Sequence, residues 1–477
     1  MKKFLYSIVA LSAIAISCDN NTSDFNNNLD ASYEVKAEVL FTNAQLELVN
    51  QITTPSVNLN PFRFFSQYWA QTTYNDESRY RLTTRNVSDN HWNNLYRNVL
   101  GNLESSKSII NTEGVSIEQK NKLAIIEILE VYTFQIIVDS YGDVPYTEAL
   151  NPAIKLPKYD DDATIYPKLI ARLDAAIANL NLSSGSFVNS DVLFNGDVTK
   201  WKLFANSLKL KLGINLSDAN PVLAKTTVEA AFNGGVILNN SQNATFKYPS
   251  AAPNYNPLFG DLVASNRNDF VAANTLVNVM NTLTDPRIGV YFNSVGGSYI
   301  GGTYGAANNN FTAFSQIGNK FRGADLPSEL FEATEVNFYL AEAAARGFIV
   351  GNSTEYYYNS AIQSSFEYWG LSSASAAYLA KPNVAYTTAL GTWQQKIGTQ
   401  AWLAYYNRPF ESWTTYRRLD YPALAAPSNA VSAANGLVPK RLTYPAGEAT
   451  VNGTNYQAAI AAMGENRLRG KIFWDKF

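Results

Sequence analysis

Cysteine is nearly absent from this chain: 477 residues contain one cysteine, one histidine and three methionines. A single cysteine allows no intrachain disulfide, so a large apolar core has to hold the fold together. The hydrophobic share of 46% can supply such a core. One histidine and one cysteine leave almost nothing for the usual zinc ligand sets or for a histidine-dependent catalytic triad.

Long apolar runs and basic runs are also missing. Beyond residue 18 no segment reaches 18 continuous apolar residues, so no membrane-spanning helix is expected there. The formal net charge is −3, and no run of lysine and arginine could follow a phosphate backbone. We therefore expect no nucleic-acid partner.

The N-terminal segment is typical of a bacterial lipoprotein signal. Lys2 and Lys3 precede an apolar stretch of about 13 residues, Phe4 to Ile16, which is too short to span a bilayer. Small residues then lead into Cys18, as required by a peptidase that leaves a lipid-bearing cysteine as the first residue. The alternative is an ordinary secretory signal with a chance cysteine. We predict a signal peptide at 1–17 and lipid attachment at Cys18.

The remaining chain divides into a polar tether and one globular body. Residues 18–32 are polar and are expected to be a flexible tether, and 33–477 are expected to form the globular domain. From about 234 to 326 the chain is rich in Asn, Gly, Pro and Tyr, which predicts a loop-rich insertion with one helix at 270–283. A similar irregular stretch covers 422–455. Loops of this length usually carry function or are mobile.

Helical hairpins are predicted for most of the body. Apolar residues recur at i, i+3, i+4 and i+7 from His91, where Ser88 and Asp89 are candidate N-caps. The eight expected helices form four consecutive pairs: 91–110 with 117–140, 165–180 with 198–212, 328–346 with 354–369, and 392–406 with 409–419. Repeated pairs of this length are the pattern of tetratricopeptide-like stacking, so the predicted fold is mostly α.

Aromatic and amide side chains are concentrated in two segments, Phe62–Arg85 and Tyr248–Phe314. Tyr and Trp rings can stack on sugar faces, and Asn, Gln and Arg can satisfy hydroxyl groups. The candidate ligand-binding residues are Gln67, Trp69, Tyr74, Arg81, Arg267, Asn268, Tyr299 and Tyr304. For Trp69 the alternative is a core position where the first helix meets the stack.

Three other groups of residues are expected to have structural rather than functional roles. The Asp160-Asp161-Asp162 run could attract calcium, but it lacks the spaced ligands of a calcium loop and precedes a helix, where acidic residues favour the dipole. His91 is expected to be a hydrogen-bonding structural residue. Arg417 and Arg418 are expected to form packed ion pairs. We therefore predict no metal site and no cofactor, with structural calcium left as an unsupported possibility.

Motifs along the chain resemble those of the SusD/RagB-type nutrient-binding lipoproteins. They are DSYGDVPY at 139–146, GDVTKW through ANSLKLKL at 196–212, the helix segment at 335–347, QQKI at 394–397 with ESWTTYRR at 411–418, PKRLTYPAGE at 439–448 and WD at 474–475. Each is short, but together they follow the family's order from about 31 to 477. Lys211 stands where many relatives have arginine.

The resemblance implies a fold and a function. SusD-like proteins are mostly helical, with four tetratricopeptide-type hairpins and a variable loop-rich half. They sit on the outer face of the outer membrane of Bacteroidetes-type bacteria, as a lid over a SusC-like TonB-dependent transporter. They pass oligosaccharides or, in some members, peptides to it, and have no catalytic residues and no required cofactor, although some bind calcium. We therefore expect a lipid-anchored, non-enzymatic nutrient-binding protein facing outward.

Two alternatives in other classes remain at this point, a surface-anchored hydrolase and an adhesin on the same scaffold. The sequence does not choose between sugar and peptide. The loop-rich half is expected to expose more aromatic surface than a monomer tolerates, which would require a permanent partner such as the transporter. The aromatic residues concerned are Tyr291, Phe292, Tyr299, Tyr304, Phe311 and Phe314.

Overall fold

The structure, a computed structural model, describes residues 35–477. The predicted signal peptide, the predicted lipid attachment site Cys18 and the whole predicted tether lie outside the described residues. Residues 37–477 form one compact unit. Within residues 35–477, no helix combines the length and the apolar character needed to cross a membrane.

Helices dominate this unit. The longer helices are α1 (Ala37–Thr53), α2 (Gly101–Ile110), α3 (Ile117–Tyr141), α4 (Asp162–Asn179), α5 (Val198–Asn215), α6 (Pro221–Gly234), α7 (Asn274–Leu283), α8 (Ala333–Ala345), α9 (Thr354–Tyr368), α10 (Ser372–Leu379), α11 (Trp393–Ala404), α12 (Pro409–Leu419) and α13 (Gly453–Met463). Short helices lie at Phe62–Phe65, Val87–Asn93, Pro257–Phe259, Ile288–Tyr291 and Glu448–Val451. A π-helical segment, Asn94–Leu100, joins Val87–Asn93 to α2, and another covers Gly260–Ala264.

The helices pack as neighbouring pairs, but two of the predicted partners are different. α3 packs chiefly on α4, α5 on α6, α8 on α9 and α11 on α12, while α1 packs on α2. The predicted pairs 91–110 with 117–140 and 165–180 with 198–212 do contact each other, but α2 packs more extensively on α1 and α5 on α6, two helices that were not predicted. The buried face of α6 carries small side chains, which give a weak apolar stripe. Gly213 of α5 lies against Val228, where an added Cβ would come within 2.8 Å of a methyl group, so small residues let the two helices approach.

Three two-stranded antiparallel sheets complete the fold. β1 (Trp69–Gln71) pairs with β5 (Phe270–Ala272), β2 (Val144–Pro145) with β3 (Tyr159–Asp160), and β4 (Ala244–Phe246) with β6 (Ser328–Phe331). The predicted helices at 270–283 and 328–346 therefore start too early, since each begins with a strand. The three residues of β5 and the four residues of β6 are buried, so pairing with a distant strand overrides the local helical periodicity.

Buried polar side chains tie the ends of the chain to its middle. Asp139 accepts hydrogen bonds from the Trp474 indole at 2.8 Å and the Tyr166 hydroxyl at 2.5 Å. The Arg417 guanidinium lies between the rings of Trp413 and Trp474, 3.4 and 4.7 Å from their centroids. These contacts explain why the DSYGDVPY, ESWTTYRR and terminal WD motifs occur together: they form one site in the core.

The other structural predictions have mixed outcomes. Arg418 forms the expected buried ion pair with Glu342 at 3.0 Å, whereas Arg417 donates to main-chain carbonyls instead. His91 is buried, contacts Gln51 and Ser140 by hydrogen bonds, and has its pKa lowered to about 3 by burial. Asn86, two residues before Ser88, is the N-cap residue of the first helix of this region, so the predicted caps Ser88 and Asp89 lie inside that helix.

A buried ion-pair cluster joins α5, α8 and α12. Lys211 lies 2.6 Å from Glu411 and 3.5 Å from Glu335, and Arg408 lies 2.8 Å from Glu335. Lysine in place of arginine thus still neutralises two carboxylates as a point charge. The neighbouring Glu332 is also buried, and burial raises its pKa to about 8.

Candidate functional site

A surface cleft lies beside the β1–β5 pair. Its volume is about 670 Å³, and its mouth is open to solvent. It is lined by Val57, Asn58, Gln71, Thr73, Tyr74, Arg85, Arg267, Asp269 and Phe270. Polar side chains around an exposed ring are the composition expected of a binding site for polar ligands.

The strand pair positions the two walls of the cleft. Gln71 of β1 lies opposite Phe270 of β5. Just beyond the pair, the Thr72 N–H donates to the carbonyl of Asp269 at 2.9 Å, and the Thr72 hydroxyl donates to the carbonyl of Asn268 at 2.6 Å. The segments 71–74 and 267–270 are therefore held side by side by main-chain contacts.

Tyr74 projects from one wall. Its side chain is 68% exposed and its φ is +50°, a left-handed conformation that is uncommon for a tyrosine. The side-chain amide of the buried Gln71 donates to the carbonyl of Tyr74 at 2.9 Å and supports this turn. The Arg85 guanidinium lies 5.9 Å from the ring centroid. The arrangement presents one aromatic face to solvent with hydrogen-bond donors next to it.

Glu77 anchors this wall from below. The carboxylate is fully buried and accepts hydrogen bonds from Gln71 at 2.8 Å and from Arg85. The carbonyl oxygen of the Gln71 amide accepts the N–H of Ser78 at 3.0 Å. Burial raises the pKa of Glu77, although both partners favour its charged form. Both the nitrogen and the oxygen of the Gln71 amide are therefore held by hydrogen bonds.

Arg267 and Asp269 form the opposite wall. The two side chains make an ion pair of 2.7 Å, in which the arginine is 57% exposed. Thr73 contacts the same aspartate, with 3.4 Å between its hydroxyl and a carboxylate oxygen. Both walls thus offer donors and acceptors within the width of the cleft.

The structure brings together only part of the predicted binding set. Tyr74 and Arg267 line the cleft, and Asn268 is exposed next to it. Arg81 is exposed but does not line the cleft. Tyr299 is half-buried and packs against the core in the loop-rich half.

Three predicted ligand-binding residues are buried instead. Trp69 has no exposed surface, and its indole N–H donates to the Tyr406 hydroxyl at 2.8 Å. Gln67 donates to the carbonyl of Ala425 at 2.7 Å, and the Tyr304 hydroxyl donates to the carbonyl of Phe64 at 2.5 Å. None of the three lines the cleft, and each makes its hydrogen bond inside the protein, so the structure contradicts the binding prediction for Trp69, Gln67 and Tyr304. The alternative of a core tryptophan is the correct one.

The expected aromatic surface of the loop-rich half is also wrong. Tyr291 and Phe292 are buried, and Tyr291 stacks on Tyr406 with 4.3 Å between ring centroids. Phe311 and Phe314 are partly buried against the same core. The glycine-rich spacing suggested too little local packing, but Leu403 of α11 contacts Tyr291, and Tyr406 after that helix packs on Tyr291 and Phe292. Exposed aromatics therefore give no argument for a partner.

Sequence reasoning missed three charged residues: Arg85 and Asp269, which line the cleft, and Glu77, which supports one of its walls. Arg85 and Asp269 are ordinary charged residues in irregular segments far apart in sequence. No local periodicity links them, because the register of β1 on β5 brings their segments together. Gln71 lies within Phe62–Arg85, the segment rich in aromatic and amide side chains, but nothing in its sequence surroundings indicates an internal support.

One acidic cluster has a spacing that could hold a metal ion. Carboxylate oxygens of Asp143, Asp161 and Asp162 lie within 4.8 Å of one another. Each already accepts a main-chain N–H: Asp161 caps α4, Asp143 accepts from Asp162, and Asp162 accepts from Phe473. Burial and its acidic neighbours raise the pKa of Asp162 to about 7. Asp161 thus confirms the expected role at the helix N-terminus.

Comparison with known proteins identifies the family. The model of the SusD-like family described as "Starch-binding associating with outer membrane" matches residues 27–445. The match covers most of the chain, so the chain belongs to this SusD-like family. A comparison with curated proteins gave no match.

Solved structures share the fold over nearly the whole chain. A protein named as chitin-binding is 27% identical with a TM-score of 0.79, and covers 93% of this chain and 100% of its own. A chitin-binding SusD homologue from Flavobacterium johnsoniae is 24% identical with a TM-score of 0.77, over 92% and 97% of the two chains. A SusD homologue from Bacteroides uniformis is 26% identical with a TM-score of 0.76, over 92% and 99%. The predicted mostly helical, SusD-like fold is confirmed.

Proposed function

We propose that this protein binds oligosaccharides in the Tyr74 cleft and delivers them for uptake. The observation that carries the proposal is the exposed Tyr74 ring, fixed by Gln71 and flanked by Arg85, in a polar cleft of a SusD-like protein. Pyranose rings present C–H faces that stack on aromatic rings, while their hydroxyls need nearby donors and acceptors. The chitin-binding name of a relative with 27% identity supports a carbohydrate over a peptide.

Binding without hydrolysis fits the side chains of the cleft. Glycosidases generally place two carboxyl groups on either side of the scissile bond. Asp269 is the one carboxylate among the lining residues, and it is paired with Arg267. Glu77 lies beneath the wall, fully buried. The ligand should therefore leave the cleft unchanged.

The cellular setting of the proposal follows from the family and from the N-terminal sequence. Cys18 carries the lipid, residues 18–32 act as the tether, and the body faces outward from the outer membrane. The partner is a SusC-like TonB-dependent transporter that accepts the captured oligosaccharide. Gentle detergent extraction of native membranes should yield this protein together with a large outer-membrane protein. Recovery of free monomer alone, with the transporter present, would contradict the partnership.

A ligand screen tests the binding function. The purified full-length protein in detergent would be titrated calorimetrically with chitohexaose, with maltohexaose and with a pool of tryptic peptides. We expect saturable binding of at least one oligosaccharide, no binding of the peptides, and intact oligosaccharide by mass spectrometry afterwards. Binding of peptides alone, or release of shorter sugars, would overturn the proposal in favour of a peptide receptor or a hydrolase.

A further inference from the structure

The charges in the cleft determine whether it can bind acidic as well as neutral oligosaccharides, provided that the cleft is the oligosaccharide site proposed above. Two cations line it, Arg85 and Arg267. Arginine residues in a glycan site often suggest recognition of uronate or sulfate groups, because a free guanidinium binds such anions in a bidentate manner. Whether the guanidinium groups are free therefore decides which glycans the site can take.

Arg85 is already neutralised from within the protein. It makes an ion pair with the fully buried Glu77, and a second carboxylate, Asp76, lies 3.9 Å away. Glu77 is itself held by the amide of Gln71 at 2.8 Å, so the carboxylate stays under the arginine. Freeing Arg85 for a ligand anion would leave a buried carboxylate without its charge partner, which is costly.

Arg267 is neutralised in the same way at the other wall. It pairs with Asp269 at 2.7 Å. Three carboxylates therefore lie within 3.9 Å of the two guanidinium groups, Asp76 and Glu77 at Arg85 and Asp269 at Arg267, so the acidic groups outnumber the two cations.

We infer that the cleft selects uncharged glycans and rejects acidic ones. Paired guanidinium groups keep N–H bonds free to donate to hydroxyl or acetamido oxygens, but they supply no net positive field for an anion. A uronate or sulfate would meet the excess of carboxylates, and repulsion of this kind is an effective way to reject a wrong ligand. Asp269, on the wall opposite Tyr74, is the residue that determines this specificity.

The test compares ligands that differ in charge. Affinities of the full-length protein for chitohexaose, maltohexaose and hexagalacturonate would be measured at low and at moderate salt. We expect the better neutral hexasaccharide to bind at least about tenfold more tightly than hexagalacturonate, with little effect of salt on the neutral ligand. Equal or tighter binding of hexagalacturonate would overturn the charge selection while leaving oligosaccharide binding intact. Binding of none of the three would overturn the proposed function and this inference with it.

Substitution of Asp269 tests whether the Arg267–Asp269 pair causes the discrimination against acidic glycans. In Asp269→Asn, Arg267 loses its partner, so hexagalacturonate should bind at least about fivefold more tightly than to the wild type. Asp174→Asn is the matched control, because Asp174 is a half-exposed aspartate that pairs with Lys209 outside the cleft. If Asp269→Asn is unstable, Arg267→Ala gives the opposite test: removal of the cation should lower the affinity for hexagalacturonate more than the affinity for the neutral hexasaccharide. Unchanged discrimination in these variants would overturn the role of the Arg267–Asp269 pair.

Discussion

The buried amide of Gln71 donates a hydrogen bond of 2.9 Å to the main-chain carbonyl of Tyr74, three residues further along the chain. Through this bond a residue with almost no exposed surface sets the conformation of the most exposed ring of the cleft. The same amide nitrogen reaches Glu77 at 2.8 Å, which in turn holds Arg85. One side chain thus connects the aromatic platform, its strained backbone and the adjacent guanidinium.

Replacing Gln71 should uncouple these elements. In Gln71→Met the shape is kept but both hydrogen bonds of the amide nitrogen are lost, so Tyr74 should leave its left-handed conformation. We expect oligosaccharide affinity to fall by about tenfold, and the free energy of unfolding by about 1–3 kcal/mol because buried partners lose their hydrogen bonds. Calorimetric titration and chemical denaturation would measure the two effects. Unchanged affinity with reduced stability would show that Gln71 supports the fold but not the binding site.

Trp69→Ala should act on stability. The indole is fully buried, and its loss leaves a large cavity and removes the hydrogen bond to the Tyr406 hydroxyl. Truncation of a buried tryptophan typically costs about 3–5 kcal/mol of unfolding free energy. A thermal melting curve should therefore shift strongly to lower temperature. A normal melting curve with loss of ligand affinity would instead restore the ligand-stacking role expected from the sequence.

Stability should depend on pH through Glu332 and Glu329. Burial raises the pKa of Glu332 to about 8 and that of Glu329 to about 7, so the folded protein keeps protons that the unfolded chain releases above about 4.5. The resulting stabilisation is present below pH 4.5 and is lost as the pH rises through 7 and 8. Between pH 5 and pH 9 the loss should be on the order of a few kcal/mol.

Glu332→Gln tests this dependence. The variant carries no titrating group at this position, so its unfolding free energy should decline less than that of the wild type over the same pH range. Denaturant titrations at several pH values would measure the slope, with Glu355→Gln at an exposed position of α9 as the control. Identical slopes for the wild type and Glu332→Gln would contradict the assignment.

Membrane attachment should depend on Cys18. Cys18→Ala removes the thiol that we propose carries the lipid, and the residue lies outside the described residues. We therefore expect a folded protein that is released into the soluble fraction. If cell fractionation finds the variant still tightly membrane-bound, either the lipoprotein assignment is wrong or the transporter alone holds it.

The sequence predicted the helices better than the site, for a physical reason. α3 is apolar on nearly all sides and α12 carries closely spaced aromatic and charged residues, so local pattern identifies both. α6 packs through small residues and left no such pattern. The cleft depends on the pairing of β1 with β5, two short strands whose register is set only by the folded core. Trp69 and Tyr74 are five residues apart in similar sequence surroundings, yet one is buried and the other exposed, and only that pairing distinguishes them.

The affinity of a Tyr74→Ala variant for the best-binding neutral hexasaccharide is the most direct test of the account. Tyr74 is exposed and its ring fills no core, so the variant should keep the melting temperature of the wild type. Tyr356→Ala is the matched control, because Tyr356 is 54% exposed on α9 and does not line the cleft. We predict that Tyr74→Ala loses at least about fivefold in affinity, as expected for a stacking face worth about 1 kcal/mol or more, while Tyr356→Ala binds like the wild type. Equal affinities of the wild type and Tyr74→Ala would contradict the central claim that this cleft is the binding site.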